Sequence, residues 1–151
     1  MSEFERELAE NVKAIETARA LLVEQLSPLA VEDLRLGRRG GWSIEEVLRH
    51  VIDAEVAYAK VLGFLRSRPI ELANAGDDDV ASARAAIEAL VRTRTQLVAL
   101  LDGVDEATFF ALRALGREQY SVVSVLENVA SHDHEHLEQI AKTLAAAKTT
   151  G

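Results

Sequence analysis

Apolar side chains recur at intervals of three and four residues along four long segments, a spacing typical of helices with one buried face. The clearest of these segments carries Val122, Val125 and Val129 and continues through Ile140. Nowhere does the chain show the alternation of apolar and polar residues that predicts a half-buried strand. Four amphipathic helices without strands predict an all-α four-helix bundle, organised as one domain over residues 1–151.

Capping and turn residues predict where these helices begin and end. The expected helices run from Phe4 to Ser27-Pro28, from Ser43 to just before Pro69, from the acidic loop at 74–79 to Asp102-Gly103, and from about Ser121 to about Ala147. Ser43 and Glu46 match a capping box. The acidic loop is expected to supply the N-cap of the third helix, and residues 104–119 to form a connector with a helical turn.

Composition restricts the compartment and the partners. The chain has no cysteine, which excludes disulfides and thiolate metal sites and fits a cytoplasmic location. Its net charge of −8 disfavours a nucleic acid or an anionic membrane as the main partner. The acidic N-terminus lacks the apolar centre of a signal peptide, and no apolar run approaches the length of a membrane span.

Three of the four histidines fall in the fourth predicted helix. A turn of about 100° per residue places His132 and His136 only about 40° apart on or beside the apolar face, with His134 on the solvent side. Two imidazoles in this arrangement can bind one metal ion, although each can also be a core histidine with a hydrogen-bond partner. His50 in the second helix can also face inward, so the three meet if these two helices are neighbours.

Two further features concern charged residues. Glu55 falls near the middle of the apolar stripe of the second helix, where we expect it either to extend to the solvent or to pair with an arginine, rather than to act in catalysis. Arg35, Arg38 and Arg39 lie in a glycine-rich loop before that helix. The loop is read first as a flexible connection; the alternative is that its arginines collect beside a site that receives an anion.

Two stretches resemble motifs of the DinB/YfiT-like superfamily: Gly41 to His50, with Asp53 and Glu55 following, and His132 to Ile140. The resemblance implies a four-helix bundle, a homodimer, and a divalent metal held by His50, His132 and His136. Ligation by three histidines suits zinc, nickel, iron or copper alike. It also implies a small-molecule substrate, and either hydrolysis or the transfer of a low-molecular-weight thiol such as bacillithiol, mycothiol or glutathione. The family is unrelated to the translesion polymerase of similar name.

The sequence leaves the general base unidentified. Glu46, Asp53, Glu135 and Gln139 are candidates to hydrogen-bond the histidine ligands and orient their rings. The alternatives to an enzyme are a metal-binding or dimeric interaction module without turnover, and a metal-free bundle in which the histidines are structural.

Overall fold

Four long helices dominate the structure, a computed structural model that describes residues 1–150. In chain order the elements are α1 (Glu3–Leu26), α2 (Ile44–Leu65), α3 (Ala83–Ala99), α4 (Glu106–Phe110), β1 (Arg113–Leu115), β2 (Glu118–Tyr120) and α5 (Val122–Thr150). Short 3₁₀ turns at Asp33–Arg35 and Asp77–Val80 interrupt the connections before α2 and α3. The predicted all-α four-helix bundle is confirmed, with α5 as the fourth long helix.

The start of α2 is determined by the capping box that the sequence predicts. The Glu46 backbone N–H donates to Ser43 Oγ over 3.1 Å, and the Ser43 N–H donates to the Glu46 carboxylate over 3.2 Å. Both bonds satisfy backbone donors that the first turn of a helix leaves without partners. Because α2 begins at Ile44, His50 lies less than two turns from this fixed end.

The bundle places α5 between α1 and α2, and α3 between the same two helices on the other side. Helices α1 and α2 therefore lie diagonally opposite, and the groove between α2 and α5 faces away from the groove between α1 and α3. Apolar side chains form two separate clusters, one at each end of the bundle. Along α1 and α5 the chain passes from the cluster containing Phe109 to the cluster containing Leu26, and along α2 and α3 it passes in the reverse direction.

Two expectations from the sequence were wrong: that the chain contains no strands, and that the acidic loop supplies the N-cap of the third helix. Residues 113–120 form an antiparallel hairpin, with Leu115 paired to Glu118 across a two-residue turn. Each strand has only three residues, too few to show alternation, and Gly116 takes a φ of 66° in the turn. The N-cap of α3 is Ser82, whose Oγ accepts from the Ala85 N–H over 3.1 Å, and not a residue of the acidic loop.

The predicted helical turn in the same connector is confirmed as α4. Phe109 is fully buried there and meets Phe4 of α1 edge to face, with ring centroids 5.4 Å apart. Among residues 1–150, no helix is long and apolar enough to cross a membrane.

Candidate metal centre

Three imidazole rings converge in the groove between α2 and α5. His132 Nε2 lies 3.1 Å from His50 Nε2 and 3.0 Å from His136 Nε2. One nitrogen from each ring lies within 4.8 Å of the other two. Tetrahedral ligands 2.0–2.1 Å from a zinc ion are separated by about 3.3 Å, so both distances from His132 are close to the spacing that one shared ion requires.

The hydrogen bond to Gln139 leaves His136 in the form that a metal requires. Gln139 Oε1 lies 2.7 Å from His136 Nδ1. Because an amide oxygen can only accept, Nδ1 carries the proton and Nε2 keeps its lone pair toward the other two rings. Three neutral imidazole nitrogens suit zinc, nickel or iron, so the donor set fits a divalent metal.

The surroundings disfavour protonation of the cluster. Burial, followed by the proximity of His136 and His50, lowers the pKa of His132 to about 4. Burial and His136 also lower the pKa of His50, against a smaller opposing effect of Asp53. At neutral pH both rings are therefore uncharged, which is the state that binds a metal.

The other residues that the sequence singled out lie around the cluster in different roles. His134 is exposed, as its helical position predicted, and Glu135 is exposed beside it. The Glu46 carboxylate belongs to the capping box, and Asp53 accepts from the Ala75 N–H over 2.8 Å. Of the four residues considered as partners of the ligand rings, Gln139 is the one whose side chain lies within hydrogen-bond distance of a histidine.

Two aromatic side chains line the cluster. The Trp42 ring lies against His50 with centroids 5.2 Å apart, and the Tyr58 ring lies 5.9 Å from His132. Burial is the largest cause that raises the pKa of Tyr58, followed by nearby carboxylates including Glu135, so its phenol keeps its proton at neutral pH. Sequence reasoning missed Tyr58 as a neighbour of the histidines, because eight residues after His50 it lies about 80° round α2 from that histidine.

Below the histidines, one charged side chain from each long helix forms a buried ionic layer: Arg19, Glu55, Arg94 and Asp133, each at most 4% exposed. The two guanidiniums each bind a carboxylate through two nitrogens. Arg19 donates to Asp133 over 2.9 and 3.0 Å, and Arg94 donates to Glu55 over 2.6 and 3.1 Å.

Further bonds join these two pairs into one layer. Arg94 also donates to Asp133 over 3.0 Å, and an Arg19 nitrogen lies 3.4 Å from Glu55. Bonds from Arg94 to Glu55 and Asp133 raise the pKa of Arg94 against the effect of burial. The layer separates the two apolar clusters. Of the two alternatives that the sequence left for Glu55, pairing with an arginine is the one observed.

A cavity of about 340 Å³ adjoins the cluster. It is lined by Arg38, Arg39, Gly40, Gly41, Trp42, Gln139, Lys142 and Thr143. Trp42 and Gln139 are shared with the cluster, because they contact His50 and His136. The structure therefore places Arg38 and Arg39 in a cavity that shares Trp42 and Gln139 with the cluster, whereas Arg35 lies outside the lining.

A larger cavity, of about 600 Å³, lies between α1 and α3 on the opposite side of the bundle. Its lining holds no histidine, and its Arg19 and Arg94 are already engaged in the ionic layer. The convergence of donor atoms, rather than cavity size, therefore identifies the candidate site.

The fold and the three converging imidazoles place this chain in a class of helical bundles that can hold a divalent metal between facing helices. The sequence pattern of the DinB superfamily matches residues 14–140, and the chain belongs to that superfamily. A comparison with curated protein sequences gave no match.

Two solved structures share this fold. One is YfiT from Bacillus subtilis, described as a probable metal-dependent hydrolase with an unusual four-helix bundle topology. It is 16% identical to this chain with a TM-score of 0.77, and the match covers 98% of this chain and 90% of YfiT. The other is TT2238, described as a four-helix bundle protein, which is 23% identical with a TM-score of 0.67. That match covers 89% of this chain and 98% of TT2238.

Proposed function

We propose that this chain is a metal-dependent enzyme in which His50, His132 and His136 hold a divalent metal. The observation that carries the proposal is the number of ligands: within residues 1–150, no fourth His, Asp or Glu joins the group. Structural zinc sites are closed by four protein ligands, whereas catalytic sites keep a position for water or substrate. When bound, the metal supplies Lewis-acid activation of a nucleophile.

The nucleophile in this proposal is either water, in hydrolysis, or a low-molecular-weight thiol that attacks an electrophilic small molecule. A thiol has to come from the substrate, because the chain contains no cysteine. Membership of the DinB superfamily and the similarity to YfiT, described as a probable metal-dependent hydrolase, support this class of activity.

Three neighbouring side chains have distinct roles in this proposal. Gln139 holds the proton of His136 on Nδ1 and so keeps its Nε2 available. Trp42 covers one face of the cluster beside His50 and limits the access of bulk water. Tyr58, with its proton retained, donates a hydrogen bond to a substrate oxygen on which negative charge develops.

The experiment begins with metal-free protein loaded separately with zinc, nickel, cobalt and iron. Each form is assayed against hydrolysable esters and amides, and against electrophiles in the presence of several thiols. His132→Ala is expected to lose metal binding and all metal-dependent turnover, while His134→Ala, two residues away and exposed, keeps both. Metal bound by the wild type without any exchangeable water or thiol ligand would refute the enzyme and leave a binding module.

We also propose, from the family resemblance, that the chain is a homodimer in solution. Light scattering during gel filtration tests this directly, and the mass of a monomer at micromolar concentration would refute it.

A further inference from the structure

The loop at residues 37–43, hereafter the arginine loop, has a defined conformation. An isolated antiparallel bridge joins Gly37 to Ser43, and the Ile44 N–H donates to the Leu36 carbonyl over 2.9 Å. Inside this closure the Gly41 N–H donates to the Arg38 carbonyl over 2.8 Å, and Gly40 takes a φ of 75°. A glycine with positive φ at the third position of such a turn is typical of type II.

This closure directs the loop toward the candidate metal centre. Ser43 ends the loop and begins α2 through the capping box, so the loop is anchored to the helix that carries His50. Trp42 continues from the turn to the His50 ring. Arg38 and Arg39 reach the neighbouring cavity, whose opposite wall is formed by Gln139, Lys142 and Thr143 of α5.

The charge of that cavity differs from that of the rest of the protein. The chain carries a net charge of −8, yet the cavity lining contains three cations and no carboxylate. Lys142 pairs with Glu138 over 3.1 Å, but both side chains are more than half exposed, so the pair is weak. Among residues 1–150, no ion pair engages Arg38 or Arg39, and each keeps its guanidinium free for a ligand.

We propose that this cavity is an anion subsite, and that the small molecule acted on beside it carries an oxyanion group, a carboxylate or a phosphate. The role in catalysis rests on the proposed function; the binding of the anion does not. Guanidinium groups favour planar carboxylate and phosphate oxygens because two parallel N–H bonds form at once. The ring of Trp42 then packs on the uncharged part of the same molecule, between the anion and the histidines.

Trp42 is the only tryptophan in the chain, and it lines the subsite at 46% exposure. Fluorescence excited at a wavelength selective for tryptophan therefore reports binding at this one place. The titrants are inorganic phosphate, succinate, and succinamide as an uncharged match for succinate. The protein is first freed of metal with a chelator, so that no anion is bound through a metal, and the chelator is then removed because its carboxylates would compete with the titrants.

We expect saturable binding of phosphate or succinate, with the stronger of the two identifying the group, and at least tenfold weaker binding of succinamide. The double variant Arg38→Gln/Arg39→Gln is expected to bind the anion at least tenfold more weakly. Arg35→Gln, which removes a positive charge outside the cavity lining, is the matched control and should leave the affinity within twofold. Equal affinity for succinamide, or an unchanged affinity in the double variant, would overturn the proposal.

Zinc binding, measured by calorimetry on the same proteins, separates this inference from the proposed function. Anion binding that depends on the arginines in a protein that does not bind zinc would keep the subsite and refute the metal-dependent enzyme. Zinc binding by the histidines without arginine-dependent anion binding would keep the enzyme proposal and refute the subsite.

Discussion

Replacing Arg94 with methionine should destabilise the metal-free protein by about 3–5 kcal/mol, the usual effect of removing one partner of a buried ion pair. Arg94 donates two hydrogen bonds to Glu55, one to Asp133 and one to the Ile15 carbonyl. At about 1.5–3 kcal/mol each, the three bonds to carboxylates alone correspond to roughly 5–9 kcal/mol. That sum is an upper limit, because methionine fills part of the volume and the neighbours relax.

The assay is urea denaturation followed by circular dichroism, with a chelator present, at pH 7. Arg92→Met is the matched control on the same helix. Arg92 bridges Asp79 over 3.2 Å at 53% exposure, so its loss should change the free energy of unfolding by less than about 1 kcal/mol.

A double variant isolates the interaction. Glu55→Met together with Arg94→Met removes a whole pair and leaves the two-nitrogen bond of Arg19 to Asp133 in place. The double variant should be more stable than Arg94→Met alone, because no uncompensated carboxylate remains. An effect of Arg94→Met no larger than that of Arg92→Met, or a double variant as unstable as the sum of the single ones, would refute this reasoning.

Four further predictions concern the site. Tyr58→Phe should lower kcat at least tenfold with unchanged metal affinity; a fall in affinity instead would give the phenol a structural role. Because the pKa of His132 is lowered to about 4 in the folded protein, the unfolded chain binds a proton between pH 6.5 and about 4 that the folded chain does not bind. The free energy of unfolding of the metal-free protein should therefore decrease as the pH falls through that range. Comparing urea midpoints of the wild type and His132→Gln from pH 7 to 4.5 measures it, and parallel curves would contradict it. Gly37→Ala brings a methyl group within 3.0–3.2 Å of the Trp42 and Ser43 backbone, and should weaken anion binding at the arginine loop without changing zinc affinity. Ser43→Ala should reduce the free energy of unfolding by about 1 kcal/mol, and an unchanged melting temperature would show that the cap is dispensable.

Much of the fold could be predicted from local sequence patterns. The period of the apolar residues and the capping box at Ser43 predicted the helices, and the four-residue spacing of His132 and His136 placed both rings together. The meeting with His50 depended on α2 and α5 being neighbours, which no periodicity specifies. The family resemblance, rather than helical geometry, predicted that the two helices bring their histidines together.

The ionic layer was predictable only in part, for a different reason. Glu55 was noticed because an acid in the middle of an apolar stripe needs a partner. Arg19, between Ile15 and Leu22, and Arg94, between Leu90 and Leu97, are also charged residues within an apolar stripe, so the same reasoning would have selected them. Which charge meets which depends on how the helices are placed, and that information lies outside any single helix.

The ionic layer also explains how residues from two helices far apart in the chain stay in register. Apolar helix faces alone tolerate a slide, because one methyl group packs on another much as before. A slide of α5 by one turn, about 5.4 Å, would break every bond that Asp133 makes to Arg19 and Arg94. His132 directly precedes Asp133, so the bonds that hold the carboxylate also hold the imidazole at the level of His50. The specificity of the buried charges, more than the apolar packing, therefore positions the candidate metal ligands.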